Sequence, residues 1–152
     1  MNILVLGGTQ FVGLRLVKLL IEKSHRVTVL NRGLSRASLP DGVAQLIADR
    51  SQPAAVRAAL SGKTFDAVID TFAFKPEEVQ PVLDGLAGAF AQYILCGSTG
   101  YYMPTDVTPI DEEQPVYDEA DKIQSEQLLL NSAADGGFTA TVIRPPVVYG
   151  PC

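Results

Sequence analysis

Cysteine is scarce in this 152-residue chain: Cys96 inside an apolar run and Cys152 at the end form neither a disulfide framework nor a metal-ligand spacing. A reducing, cytoplasmic compartment is the expectation. Histidine is scarcer still. His25 stands alone between a helical and a strand pattern, where a turn residue is expected and not a catalytic base. An excess of basic charge is also missing, since 12 Lys and Arg face 17 Asp and Glu for a net charge of -5. A surface that tracks nucleic-acid phosphates needs a clustered basic face, so nucleic acid is not an expected partner. No apolar run is long enough to cross a bilayer, and no membrane association is expected. The apolar start lacks the basic flank and cleavage site of a signal peptide and is interrupted by Gly7 and Gly8. Repeats and low-complexity tracts are absent.

What is present is 47% hydrophobic content, enough for one domain with a substantial core. Strand-like runs recur at Ile3 to Leu6, Arg26 to Leu30, Val43 to Ile47, Ala67 to Asp70, Gln92 to Cys96 and Thr139 to Ile143, with helical patterns between most of them. That alternation predicts an α/β fold, a doubly wound parallel sheet of about six strands with helices on both faces. The first helix, from Phe11 to Ile21, is apolar enough to be buried against the sheet. A second is expected after Ser51 with Val56, Ala59 and Leu60 inward, and a third from Pro76 is expected to kink or restart at Pro81. A fourth, through Ser125 to Asn131, is expected to carry Ile123, Gln127, Leu128 and Leu130 on and beside its buried stripe.

The stretch MNILVLGGTQFVG, Met1 to Gly13, runs a strand into a glycine-rich turn and then into a helix. A dinucleotide pyrophosphate needs that order. Gly7 and Gly8 bring backbone close to phosphate, the helix start offers free N–H groups, and Gly13 lets helix pack closely on strand. Thr9, Gln10, Phe11 and Val12 complete the candidate loop. The alternative is a helix-capping turn with no ligand. Gln10 takes the place of the middle glycine, and its side chain is expected to turn outward or onto a ligand oxygen.

Cofactor choice is expected at the end of the second strand, where an acid would accept from the adenosine ribose. This chain has Asn31 and Arg32 there, then Gly33 and Arg36. A neutral residue beside an arginine suits a 2′-phosphate, hence NADP with NAD as the alternative; an ordinary surface role is the other reading of Arg32. Asp49 and Arg50 are expected along the adenine edge, with Asp49 toward its amino group. After the fifth strand, the run from Cys96 to Tyr102 puts hydroxyls where a nicotinamide would lie. Ser98 and Thr99 either hydrogen-bond a substrate oxygen or form a plain turn. The irregular stretch from Gly97 onward holds Asp106, Asp111, Glu112, Glu113, Asp118, Glu119 and Asp121 without a histidine or a defined spacing, and is expected to be a solvated face and not a metal site.

Five motifs in this order resemble those of the extended short-chain dehydrogenases/reductases, the NAD-dependent epimerase/dehydratase family. LGGTQFVG resembles the phosphate loop and CGSTGYY the serine-bearing strand end. TPIDEEQP (Thr108 to Pro115) resembles the acidic-proline segment, DKIQSEQLL the lysine helix, and RPPVVYGP (Arg144 to Pro151) the sixth-strand signature. The resemblance spans essentially the whole chain. It implies a Rossmann fold and hydride transfer with NAD or NADP, by an epimerase, dehydratase or reductase, on a sugar-nucleotide-like or other hydroxylated substrate. Dimerisation through helices flanking the active site is also implied. Ser98 takes the catalytic hydroxyl's place, and Lys122 the lysine's, which also contacts the cofactor. The family has tyrosine four residues before the lysine, whereas this chain has Asp118. Tyr117 is its neighbour, on a different face if the helix runs through both. That departure, with the GGTQFVG loop and Asn31-Arg32-Gly33, makes the chain similar to an atypical subgroup that includes chloroplast stem-loop-binding proteins, and RNA association is implied by that kinship alone. A smaller domain that closes over substrate follows the sixth-strand signature in this family. The chain is therefore expected to be a truncated cofactor domain, residues 1–152, without most of the substrate pocket. A binding module without turnover is the competing expectation, resting on Gln10, Asp118 and the missing half.

Overall fold

Short apolar runs separated by helices cannot pair as hairpins; they pair in parallel, with helices as most of the crossovers. The computed structural model describes residues 1–35 and 38–150. It contains β1 (Asn2–Leu6), α1 (Phe11–Glu22), β2 (Arg26–Asn31), β3 (Ala44–Ile47), α2 (Pro53–Leu60) and β4 (Ala67–Asp70). There follow α3 (Pro76–Leu86), β5 (Gln92–Cys96), a 3-10 turn at Thr99–Tyr101, α4 (Asp121–Gly136) and β6 (Thr139–Ile143). The strands form one six-stranded sheet in the order β3-β2-β1-β4-β5-β6. Every pairing is parallel. Leu6 at the end of β1 lies opposite both Leu30 and Asp70, so the chain's direction of winding reverses between β1 and β4. Loops leaving those two strands diverge to opposite faces and open a crevice at the carboxyl ends.

The larger core packs Leu4, Leu6, Val68, Tyr93 and Leu95 of the sheet against Val56 and Leu60 of α2, Val79, Val82 and Leu86 of α3, and Leu129 of α4. The other face buries Ile3, Val5, Val27 and Val29 beneath Val17 of α1. Alternate strand residues thus serve opposite layers.

Three helix expectations need correction. Helix α3 runs unbroken through Pro81, which is itself buried. Losing one intrahelical bond is tolerated where tertiary burial of the helix outweighs it. In α4 the buried residues are Lys122, Ile123, Ser125, Glu126 and Leu129, while Gln127 and Leu130 face solvent. Polar groups take the inward stripe because its first two turns reach the strand ends. Finally, α1 buries only Gly13 and Val17 fully, leaving Phe11, Val12 and Leu19 at 39%, 40% and 50% exposure. It lies over β1 and β2. His25 sits at the turn, its Nδ1 3.4 Å from the Met1 amino group.

Candidate functional site

At the end of β1, Gly7 has φ +87°, a left-handed conformation natural to glycine. A Cβ on Gly13 would lie 2.1 Å from the Gly7 carbonyl oxygen, and one on Gly8 2.9 Å from Val17 and Val29. The three glycines therefore seat α1 directly on the turn. Gln10 is the N-cap residue of α1, extended at φ -146° and exposed, and makes no side-chain capping bond. The first N–H groups of α1 are consequently left uncapped at the crevice, with a partial positive charge. Thr9 is half-buried and its carbonyl accepts from the Ser35 hydroxyl at 3.4 Å.

Asn31 and Arg32 leave β2 beside this turn. The Asn31 Oδ1 accepts from the Gly33 N–H at 2.6 Å and from Gln45 Nε2 at 3.0 Å, while its Nδ2 is buried without a partner. Arg32 is exposed. Asp49 accepts from the Ser51 N–H and hydroxyl, each at 2.9 Å; these bonds, with the charge of Arg32, hold its carboxyl below the usual range. Arg36 lies outside the described residues.

Arg50 does not line the adenine edge as expected. Its guanidinium turns inward and forms an ion pair with Asp70, with Nη1 at 2.9 Å from Oδ1 and Nη2 on Oδ2. The same Nη2 donates to the Glu78 carbonyl at 3.1 Å. Asp70 also accepts from the Tyr93 hydroxyl at 2.9 Å and from the N–H groups of Phe72 and Ala73 at 3.1 Å. Burial alone would raise the Asp70 carboxyl, but the charge and hydrogen bonds of Arg50 outweigh it and hold it below the usual range. Burial, then the Asp70 charge, pushes the Tyr93 hydroxyl well above its ordinary value. The signal for this network was an acid closing an otherwise apolar strand, because a buried carboxylate needs a partner.

The loop that Asp70 anchors receives Lys122. Only 5% exposed, Lys122 donates from Nζ to the Ala73 carbonyl and stands 5.1 Å from the Phe74 ring centroid. Burial lowers its pKa, against the charges of Asp70, Cys96 and Glu126. Ser98 follows β5, the strand beside β4, and its Oγ accepts from the Gly100 N–H at 3.1 Å. Ser98 and Lys122 thus approach adjacent strand ends from different elements.

Helix α4 begins only at Asp121, so neither Tyr117 nor Asp118 is helical and no helical face separates them. Tyr117 instead lies alongside the turn after Ser98, its N–H donating to the Tyr101 carbonyl at 3.0 Å, with Tyr102 bridged to Val116. It is 47% exposed. Two residues that the motifs left without a role brace this turn. Arg144 donates to Glu126 Oε2 from Nε at 2.9 Å and Nη2 at 2.6 Å, and its guanidinium lies 4.9 Å from the Tyr102 ring centroid. Glu126 Oε1, buried and unpartnered, lies 2.3 Å from where a Gly97 Cβ would stand, which explains the glycine before Ser98.

A glycine cradle under an uncapped helix, at the reversal point of an all-parallel sheet, defines a dinucleotide-binding domain of the Rossmann type. The chain belongs to the NAD dependent epimerase/dehydratase family, which it matches over residues 3–152. It is 34% identical over 166 residues to the chloroplast stem-loop binding protein of 41 kDa b of Arabidopsis thaliana, covering 99% of this chain and 43% of that protein. To the 2'-dehydrokanamycin reductase of Streptomyces kanamyceticus it is 31% identical over 153 residues, again covering 43% of the relative and 98% of this chain. The chain thus spans less than half the length of these curated relatives. The UDP-glucose 4-epimerase of Thermotoga maritima, solved with UDP-glucose, superposes with a TM-score of 0.85 over 99% of this chain and 57% of its own, at 22% identity. At that identity the likeness is one of fold.

Among the described residues, no helix is long and apolar enough to cross a membrane.

Proposed function

We propose that the chain is the cofactor-binding domain of an NADP-dependent epimerase, dehydratase or reductase that acts by hydride transfer on a hydroxylated, sugar-like substrate. The observation that carries this reading is the glycine cradle. Gly13 seats α1 on the Gly7 carbonyl so closely that no side chain fits, and the uncapped N–H groups of α1 face the crevice. The orphaned Asn31 Nδ2 offers a further donor at the adenosine end. The dinucleotide, when bound, supplies the hydride donor or acceptor. Gly7 to Gly13 would hold its pyrophosphate, Asn31 and Arg32 its adenosine 2′-substituent, and Asp49 its adenine amino group. Ser98 would orient the reacting substrate oxygen, and Tyr117 would move the proton at that oxygen. Lys122 would orient the nicotinamide-side ribose. Substrate selection then belongs to a further domain, as the greater length of the relatives suggests.

Asp118, standing four residues before Lys122, favours a second reading, a dinucleotide-binding regulator without turnover. The family's tyrosine hydroxyl is absent from that position. The net charge of -5 disfavours RNA association as a third reading. The decisive experiment is turnover in the full-length protein with Tyr117→Phe and Ser98→Ala. Losses of about 10²–10⁴-fold with cofactor affinity intact support the enzyme. A full-length protein that binds NADP without turning over supports the regulator.

A further inference from the structure

The adenosine end of the site contains an amide whose two ends are unequal. Asn31 Oδ1 accepts from the Gly33 N–H at 2.6 Å and from Gln45 Nε2 at 3.0 Å. A backbone N–H can only donate, so the oxygen must occupy that side and Nδ2 is left on the other, where it is buried and has no partner. Gln45 projects from β3, which pairs in parallel with β2 and sets Asn31 opposite Ile47. No motif pointed to it. Beside the amide, Arg32 contributes an exposed guanidinium that can only donate. The neighbouring carboxylate, Asp49, has Oδ1 occupied by the N–H and hydroxyl of Ser51.

We infer that Gln45, acting with the Gly33 N–H, fixes the Asn31 amide so that the end of β2 presents only hydrogen-bond donors. Gln45 is then a positioning residue that favours a 2′-phosphate over a 2′-hydroxyl. The inference rests on the dinucleotide reading above. At neutral pH a phosphomonoester offers acceptor oxygens and negative charge, matching a donor-only surface. A ribose hydroxyl can accept from Nδ2, but its own proton finds no acceptor on Asn31, and a donor left unpaired on binding weakens the complex.

Calorimetric titration of NADP and NAD into the chain and two variants tests this. In Asn31→Asp, one carboxylate oxygen keeps both donors satisfied and the other replaces Nδ2 with an acceptor, so the preference is expected to invert toward NAD. Gln45→Met, an uncharged change at an exposed position, releases one of the two bonds on Oδ1. The NADP-to-NAD affinity ratio is expected to fall about threefold or more, with NAD affinity undiminished. A purely structural role would weaken both cofactors equally and leave the ratio unchanged. An unchanged ratio in Gln45→Met, or an Asn31→Asp variant that still prefers NADP, overturns the inference while the dinucleotide reading stands. If the unmodified chain binds neither cofactor, that reading falls and the inference with it.

Discussion

Replacing Asp70 with asparagine is expected to cost about 3–5 kcal/mol of folding stability, the range for breaking a buried ion pair by removing one partner. The Asp70 carboxylate is wholly buried and accepts from Arg50, Tyr93 and the N–H groups of Phe72 and Ala73. Its loss leaves the Arg50 guanidinium, 13% exposed, as a buried cation facing a neutral amide. In a chain of this size each kcal/mol shifts Tm by about 2–4 °C, so a fall of about 6–20 °C is expected in a thermal melt at pH 7. Since folding holds the Asp70 carboxyl below its ordinary value, its stabilisation is fully present above the unfolded pKa of about 3.9. It is lost as pH falls through the folded value. Urea melts should therefore show the gap between native chain and variant narrowing on acidification below about pH 4. Replacing both partners with apolar residues, Arg50→Met with Asp70→Leu, should recover only the part due to the stranded cation, because Tyr93 and the N–H groups of Phe72 and Ala73 still lose their acceptor. An Asp70→Asn variant within about 1 kcal/mol of the native chain, or a gap indifferent to pH, would refute the reasoning.

Gly13→Ala should destabilise the chain by about 1–3 kcal/mol and weaken dinucleotide binding together, because its Cβ would lie 2.1 Å from the Gly7 carbonyl; a melt and a titration check both. The chain should also self-associate through the ledge formed by Phe11, Val12, Leu19 and Tyr149, all more than a third exposed. Sedimentation velocity across concentrations should show this, and Leu19→Glu should suppress it; a concentration-independent monomer counts against it.

The strands were legible from sequence because each is a short apolar run closed by a turn signal, and all six fall within a residue or two of their expected limits. The phosphate loop was legible because strand, glycines and helix are consecutive in the chain. Long-range pairing was not. Nothing local to Arg50 shows that its guanidinium turns toward Asp70, twenty residues on, because one carboxylate in an apolar strand names no partner. The same holds for Arg144 with Glu126 and for Gln45 with Asn31. The start of α4 was not legible, because helical periodicity fixes a face better than an end. That single boundary decides whether Tyr117 is judged by helical faces or by its place beside Tyr101.

The most direct test of the account is calorimetry of the chain with NADP and with NAD, repeated on Arg32→Ala. Tighter binding of NADP is expected, together with a loss of about 1.5–3 kcal/mol of NADP affinity in the variant and little change for NAD. Equal affinities for the two cofactors, or an Arg32→Ala variant that binds NADP as well as the native chain, would contradict it.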